Sequence, residues 1–189
     1  DNIEEDDFTA YPEIRLAEAR YIPYRLMETM QASANWGAVR VVPSNTSSVD
    51  VVVAGEILHS DGESMELDVR VSDATGREWF QRKYEGQASL YSYQKGRNHN
   101  LDPFQDVYNR ISNDIAKYRK KLTPAEVKKI RTIAELKFAE NFSPEAFGGY
   151  LATDKEGQYI FKRLPADNDP MMERIHKIRE RDYLYIDTL

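Results

Sequence analysis

The chain has 189 residues, 41% of them hydrophobic and 31% charged, with a net charge of −6; that balance suits one folded domain, or one domain with a helical appendage. Cysteine is absent, which excludes disulfides, thiol nucleophiles and cysteine-type zinc sites. The longest apolar run is Val51–Ala54, far short of the roughly 20 residues that a membrane-spanning helix needs.

Residues 1–13 carry six acids (Asp1, Glu4, Glu5, Asp6, Asp7, Glu13) and no base. This acidic leader lacks the positive start and apolar middle of a signal peptide. The chain is therefore expected either to be cytosolic or to have lost an export signal ahead of Asp1. From Pro23 a helix is predicted, with Leu26, Met27, Met30 and Ala34 on one face and Gly37 as its stop. Ile14–Ile22 reads as a short strand or extended segment, because Pro23 biases Ile22 away from helix. Ala38–Pro43 reads as a strand and Ser44–Ser48 as a loop.

Val49–Gly86 reads as three strands joined by two tight turns. Its first strand, VDVVVAGEIL, starts apolar on both faces and is expected at the middle of a sheet covered on both sides. In the second, Met65, Leu67, Val69 and Val71 alternate with Glu66, Asp68, Arg70 and Ser72, giving one dry and one wet face. In the third, Phe80 and Tyr84 share a side and Trp79 takes the other. Asp61-Gly62 and Thr75-Gly76 supply the turns.

After Gly86 comes a polar, tyrosine-rich connection. Asp102-Pro103 signals a helix start, and Phe104, Val107, Tyr108, Ile111, Ile115 and Tyr118 form an apolar stripe at helical spacing. Thr123-Pro124-Ala125-Glu126 spells a capping box ahead of a helix with Ile130, Ile133, Ala134, Leu136 and Phe138 inward. Ser143-Pro144 opens a short helix that Gly148-Gly149 ends. Tyr159–Phe161 is strand-like, and Met171–Leu189 is helical again. The fold class is α+β: a two-layer α/β sandwich with an antiparallel three-strand meander and a helical C-terminal extension.

The helix-then-meander unit carries VDxVVxGxI (Val49, Asp50, Val52, Val53, Gly55, Ile57) and VxDxTGxxW (Val71, Asp73, Thr75, Gly76, Trp79). Over about residues 23–86 it resembles bacterial envelope domains of the TolB amino-terminal, CsgG and LpoB type. The segment LMETMQASANWGAVRVVP resembles that family's first helix and strand, whereas residues 102–189 match nothing in it. The resemblance divides the chain into a leader (1–13), a TolB-like α/β domain (14–122) and a helical extension (123–189) packed on it. It implies a non-enzymatic module, periplasmic and outer-membrane associated, that binds an envelope protein or itself. The membrane would be reached only through a removed lipid anchor. An open sheet edge suits such contacts. Alternatives are an envelope enzyme acting on glycan, or a cytosolic interaction domain.

Residue chemistry adds little to that. His59 with Asp61, the loop residue His99 and the helical His176 lack metal-ligand spacing, so neither metal nor cofactor is expected. Glu66 and Asp68 beside Arg70 read as a salt-laced wet face rather than a glycosidase pair. Gly148-Gly149 is too short to cradle phosphate. Tyr91, Tyr93, Lys95 and Arg97 form the candidate binding surface, since aromatics with cations stack on sugars or bases; the competing role is pinning the helical extension to the sheet. Residues 117–137 hold eight bases against Glu126 and Glu135. They read as a solvated helix face or as a contact surface for an anionic polymer or lipid headgroup. With a net charge of −6, no nucleic-acid partner is expected.

Overall fold

The alternation between Met65 and Ser72 demands a strand buried on one face, and that strand lies at the centre of the sheet. The computed structural model describes residues 12–42, 48–88 and 102–186. In chain order the elements are α1 (Pro12–Ala32), β1 (Val51–Ser60), β2 (Ser64–Asp73), β3 (Glu78–Gln87), α2 (Gln105–Arg119), α3 (Pro124–Phe142), α4 (Pro144–Phe147), β4 (Leu151–Thr153), β5 (Tyr159–Phe161) and α5 (Pro170–Ile186). The fold is α+β, in a two-layer α/β arrangement. One sheet is antiparallel with strand order β1-β2-β3; the other pairs β4 with β5, Ala152 opposite Ile160. Gly62 (φ 84°) and Gly76 (φ 87°) supply the left-handed residues of the two meander turns.

Three expectations are corrected. First, α1 is one helix from Pro12 to Ala32 with Pro23 inside it, so Ile14–Ile22 is neither strand nor extended. The bias of a residue before proline is outweighed by the helix formers Leu16–Arg20 and by tertiary anchors. Ser60 donates to Glu18 at 2.6 Å, and Tyr21 donates to Asp102 at 2.7 Å. Second, Ala38–Val42 forms no strand; the Val39 carbonyl instead accepts from the Gln31 side chain of α1 at 3.0 Å. Third, among the described residues β1 is an edge strand, and its Ala54–Glu56 are exposed. A run of valines shows strand propensity but does not report how many neighbours the strand has. In β3, Trp79 and Tyr84 are both buried; five residues apart, they fall on opposite sides of the strand, in line with the alternation read from the sequence.

The described residues divide into two compact units that interleave along the chain: residues 12–41, 57–67, 84–88 and 102–112, and residues 42, 48–56, 68–83 and 113–186. In the first, Ile22, Met30, Met65, Leu67, Tyr84, Val107 and Ile111 are buried. Its polar centre is Asp102, whose side chain is 1% exposed. Asp102 accepts from Tyr21 Oη and from the Phe104 N–H at 2.8 Å, and Arg25 Nε lies 3.3 Å away. The neighbouring Tyr108 is completely buried, and its hydroxyl has no hydrogen-bond partner among the described residues. Gly86 lets β3 approach α2: a Cβ there would collide with Val107.

In the second unit, α3 buries Ile130, Ile133, Ala134, Leu136 and Ala139. Ala139 joins Phe147 and Ile175 in a cluster flanked by Phe138, Tyr150 and Met172. The predicted capping box is present, with the Glu126 N–H donating to Thr123 Oγ1 and the Thr123 N–H to Glu126. These contacts fix α3 at its first turn, which positions the site described next.

Candidate functional site

Two places in the second unit concentrate chemistry-bearing side chains. One is the turn after β2. Asp73, with a side chain 0% exposed, accepts the Thr75 N–H (2.9 Å) and hydroxyl (2.5 Å) on Oδ1. Its Oδ2 accepts Trp79 Nε1 (2.8 Å) and Arg77 Nε (3.2 Å). Arg77 also bonds Glu126 at 3.0 Å, and Trp79 stacks on Tyr118 with ring centres 4.8 Å apart. The backbone closes the same turn: the Ala74 N–H donates to the Asp50 carbonyl, and the Tyr159 N–H donates to the Thr75 carbonyl.

Lys137 completes this knot. Counted from sequence among the exposed bases, it is buried. Its Nζ donates to the Ala74 carbonyl at 3.0 Å and lies 3.8 Å from the centre of the Tyr159 ring. Burial pushes its pKa down, and the charge of Asp73 opposes that shift. Its position one helical turn past Ile133 marks the inward face of α3, a signal the charge count overrode. An acid, a hydroxyl and a lysine lie close together here, but the carboxylate accepts four hydrogen bonds and faces no solvent. The arrangement holds the turn to α3 and β5; it offers no reacting group to a substrate.

The other place is a groove at the α2–α3 corner. Backbone bonds from Lys120 to Ala116 and from Lys121 to Tyr118 close the end of α2, and the Thr123 cap, two residues after Lys121, starts α3. Positions 127 and 128 lie four and three residues before 131, and 135 lies four after it, so Val127, Lys128, Arg131 and Glu135 share one face. With Arg119, Lys120 and Leu122 they line an open groove of about 530 Å³. The lining therefore presents four cations and one anion beside the apolar Leu122 and Val127.

That anion is already engaged. Glu135 lies 3.8 Å from Arg179 and 3.6 Å from His176, both on α5. Arg179 also donates to the Ser48 carbonyl at 3.0 Å and lies 3.7 Å from Asp50, whose other oxygen is 3.8 Å from Arg131. Lys120 and Lys128 are exposed and have no ion-pair partner among the described residues. The groove therefore keeps positive charge without an ion-pair partner among the described residues at Lys120 and Lys128.

No protein-family model, curated protein sequence or solved structure matches this chain.

The candidate binding residues Tyr91, Tyr93, Lys95 and Arg97 lie outside the described residues, as does His99. His59 is exposed and sits 3.0 Å from Asp61, whose other oxygen accepts the N–H groups of Glu63 and Ser64. Those bonds, the Ser64 N–H foremost, hold the Asp61 carboxyl well below its usual range; the pair shapes a turn. Asp68 accepts from Gln81 at 2.8 Å, and Arg70 bonds Gln81 and faces Glu78 at 3.4 Å. The wet face of β2 is thus salt-laced. Gly148 and Gly149 close α4: the Gly148 N–H donates to the Pro144 carbonyl at 2.7 Å, and Gly149 has φ 101°. Among the described residues no group of three or more His, Asp or Glu could hold a metal ion, and no helix is long and apolar enough to cross a membrane. The basic character of the groove was visible in the sequence. Its concave shape was not, because that depends on the angle at which α2 delivers Arg119 and Lys120 to α3.

Proposed function

We propose that this chain is a non-enzymatic binding module that docks an acidic protein partner in the groove between the end of α2 and α3. The observation that carries this reading is the charge of the groove. In a chain of net −6, Arg119, Lys120, Lys128 and Arg131 face one concavity whose single acid, Glu135, is held by Arg179 and His176. Exposed lysines on flexible stems suit recognition of acidic side chains without fixed geometry.

A bacterial envelope setting is a further part of the proposal. Its support is the resemblance of the Val49–Gly86 meander, with the DxTG turn built as that pattern suggests. Against it stands Ala38–Val42, where the resemblance calls for a strand and none forms. Reading the gene upstream of Asp1 tests this part: an export signal followed by a lipid-box cysteine supports it, and a coding start without either removes it.

Titration with polyglutamate tests the docking reading. Binding should weaken with added salt, and K120E/K128E should weaken it at least about tenfold, since like charges facing an acidic ligand repel it. The groove reading fails if polyglutamate does not bind or binds the variant equally. A clear preference for duplex DNA or anionic lipid vesicles would replace the protein partner with a polymer or headgroup.

A further inference from the structure

We propose that the groove on one copy of the chain receives the acidic segment Asp1–Asp7 of a second copy, so that copies associate head to tail. This rests on the docking reading above and names the occupant. The segment DNIEEDD carries five acids and no base, almost the whole of the chain's net −6. The groove presents the complementary charge, with Lys120 and Lys128 lacking ion-pair partners among the described residues. Ile3, the one large apolar residue of the segment, matches the apolar lining residues Leu122 and Val127.

A contact between two different surfaces of the same chain is heterologous. Each copy that offers its segment keeps its groove open, and each filled groove leaves that copy's own segment unused. Association then grows into open chains or closes into rings, rather than stopping at a two-fold dimer. The attraction is between exposed charges and is screened within about 10 Å at moderate salt.

Sedimentation velocity across a concentration series tests this on the full chain, with two variants. One neutralises the segment (D1N/E4Q/E5Q/D6N/D7N); the other reverses the groove (K120E/K128E). All substituted groove positions are exposed, and unchanged thermal melting confirms that both variants fold. The wild type should gain mass with concentration at low salt and become monomeric at high salt, while each variant alone stays monomeric. An equimolar mixture of the two variants should form a dimer and stop there, because only one intact groove meets one intact segment. A wild type that is monomeric throughout overturns the inference, as does a segment-neutral variant that associates like the wild type or a mixture that forms no dimer. Polyglutamate separates the two levels. If it binds the groove of a chain that does not self-associate, the docking reading stands and this inference falls; if it does not bind, the docking reading falls as well.

Discussion

Trp79 donates its indole N–H to the Asp73 carboxylate at 2.8 Å, across the turn that joins β2 to β3. The bond is buried, and three further donors use the same carboxylate. Asp73→Ala would leave those donors unpaired and take away the negative charge that acts on Lys137. Loss of one partner from a buried charged network costs about 3–5 kcal/mol. Trp79→Phe keeps a ring against Tyr118 and loses only the N–H, which should cost about 1–2 kcal/mol. Urea unfolding of both variants checks the ranking; equal stabilities would show that the carboxylate is not the centre of the knot.

Glu126 gives a pH signature. The backbone N–H of Thr123, the Arg77 guanidinium and the Thr123 hydroxyl hold its pKa down at about 2, against an ordinary value of 4.5. A carboxyl whose pKa is lower in the folded than in the unfolded state stabilises the fold above the unfolded value. That contribution is fully present above pH 4.5 and fades as pH falls toward 2. Glu126→Gln preserves a capping-box side chain but not the charge. The stability gap between wild type and variant should therefore shrink as pH drops through this window. A gap that stays constant would rule out the assignment.

Tyr108 tests the opposite situation. Its hydroxyl is buried without a hydrogen-bond partner among the described residues, and burial, followed by the charge of Asp102, pushes its pKa up. Removing an unsatisfied polar atom relieves a desolvation cost. Tyr108→Phe should be neutral or stabilising by up to about 1 kcal/mol. A thermal melt that falls by several degrees would mean the hydroxyl has a partner that matters.

Gly86 marks a close approach. A methyl group there meets Val107 on α2, and overfilling a packed contact costs about 1–3 kcal/mol. Gly86→Ala should destabilise by that amount, and adding Val107→Ala should restore part of the loss. Strictly additive losses in the double variant would remove the steric explanation.

What the sequence made legible was local. The period-two pattern of Met65–Val71, the two glycine turns and the Thr123–Glu126 cap are decided by neighbours a few residues apart, and all appear where expected. The helical stripe Val107–Ile115 is buried as its spacing required. What stayed hidden depends on distant partners. Pro23 continues a helix because Glu18 and Tyr21 are anchored by Ser60 and Asp102, more than forty residues away. Val51–Val53 lie at an edge because no further strand forms beside them among the described residues. Lys137 counted as one more surface base until α3 turned it toward Ala74. The groove divides the same way: its bases could be counted in the sequence, but its hollow required two helices to meet.

The bond from Lys137 to the Ala74 carbonyl joins a turn of the meander to a helix sixty-three residues further along. A recombination event that grafted residues 49–86 onto another scaffold would strand that carbonyl and leave Trp79 without its stacking ring. Inheritance of the DxTG hairpin is thereby coupled to inheritance of the third helix. Related chains should keep or lose the pair of features together, and a search for kin should ask for both at once.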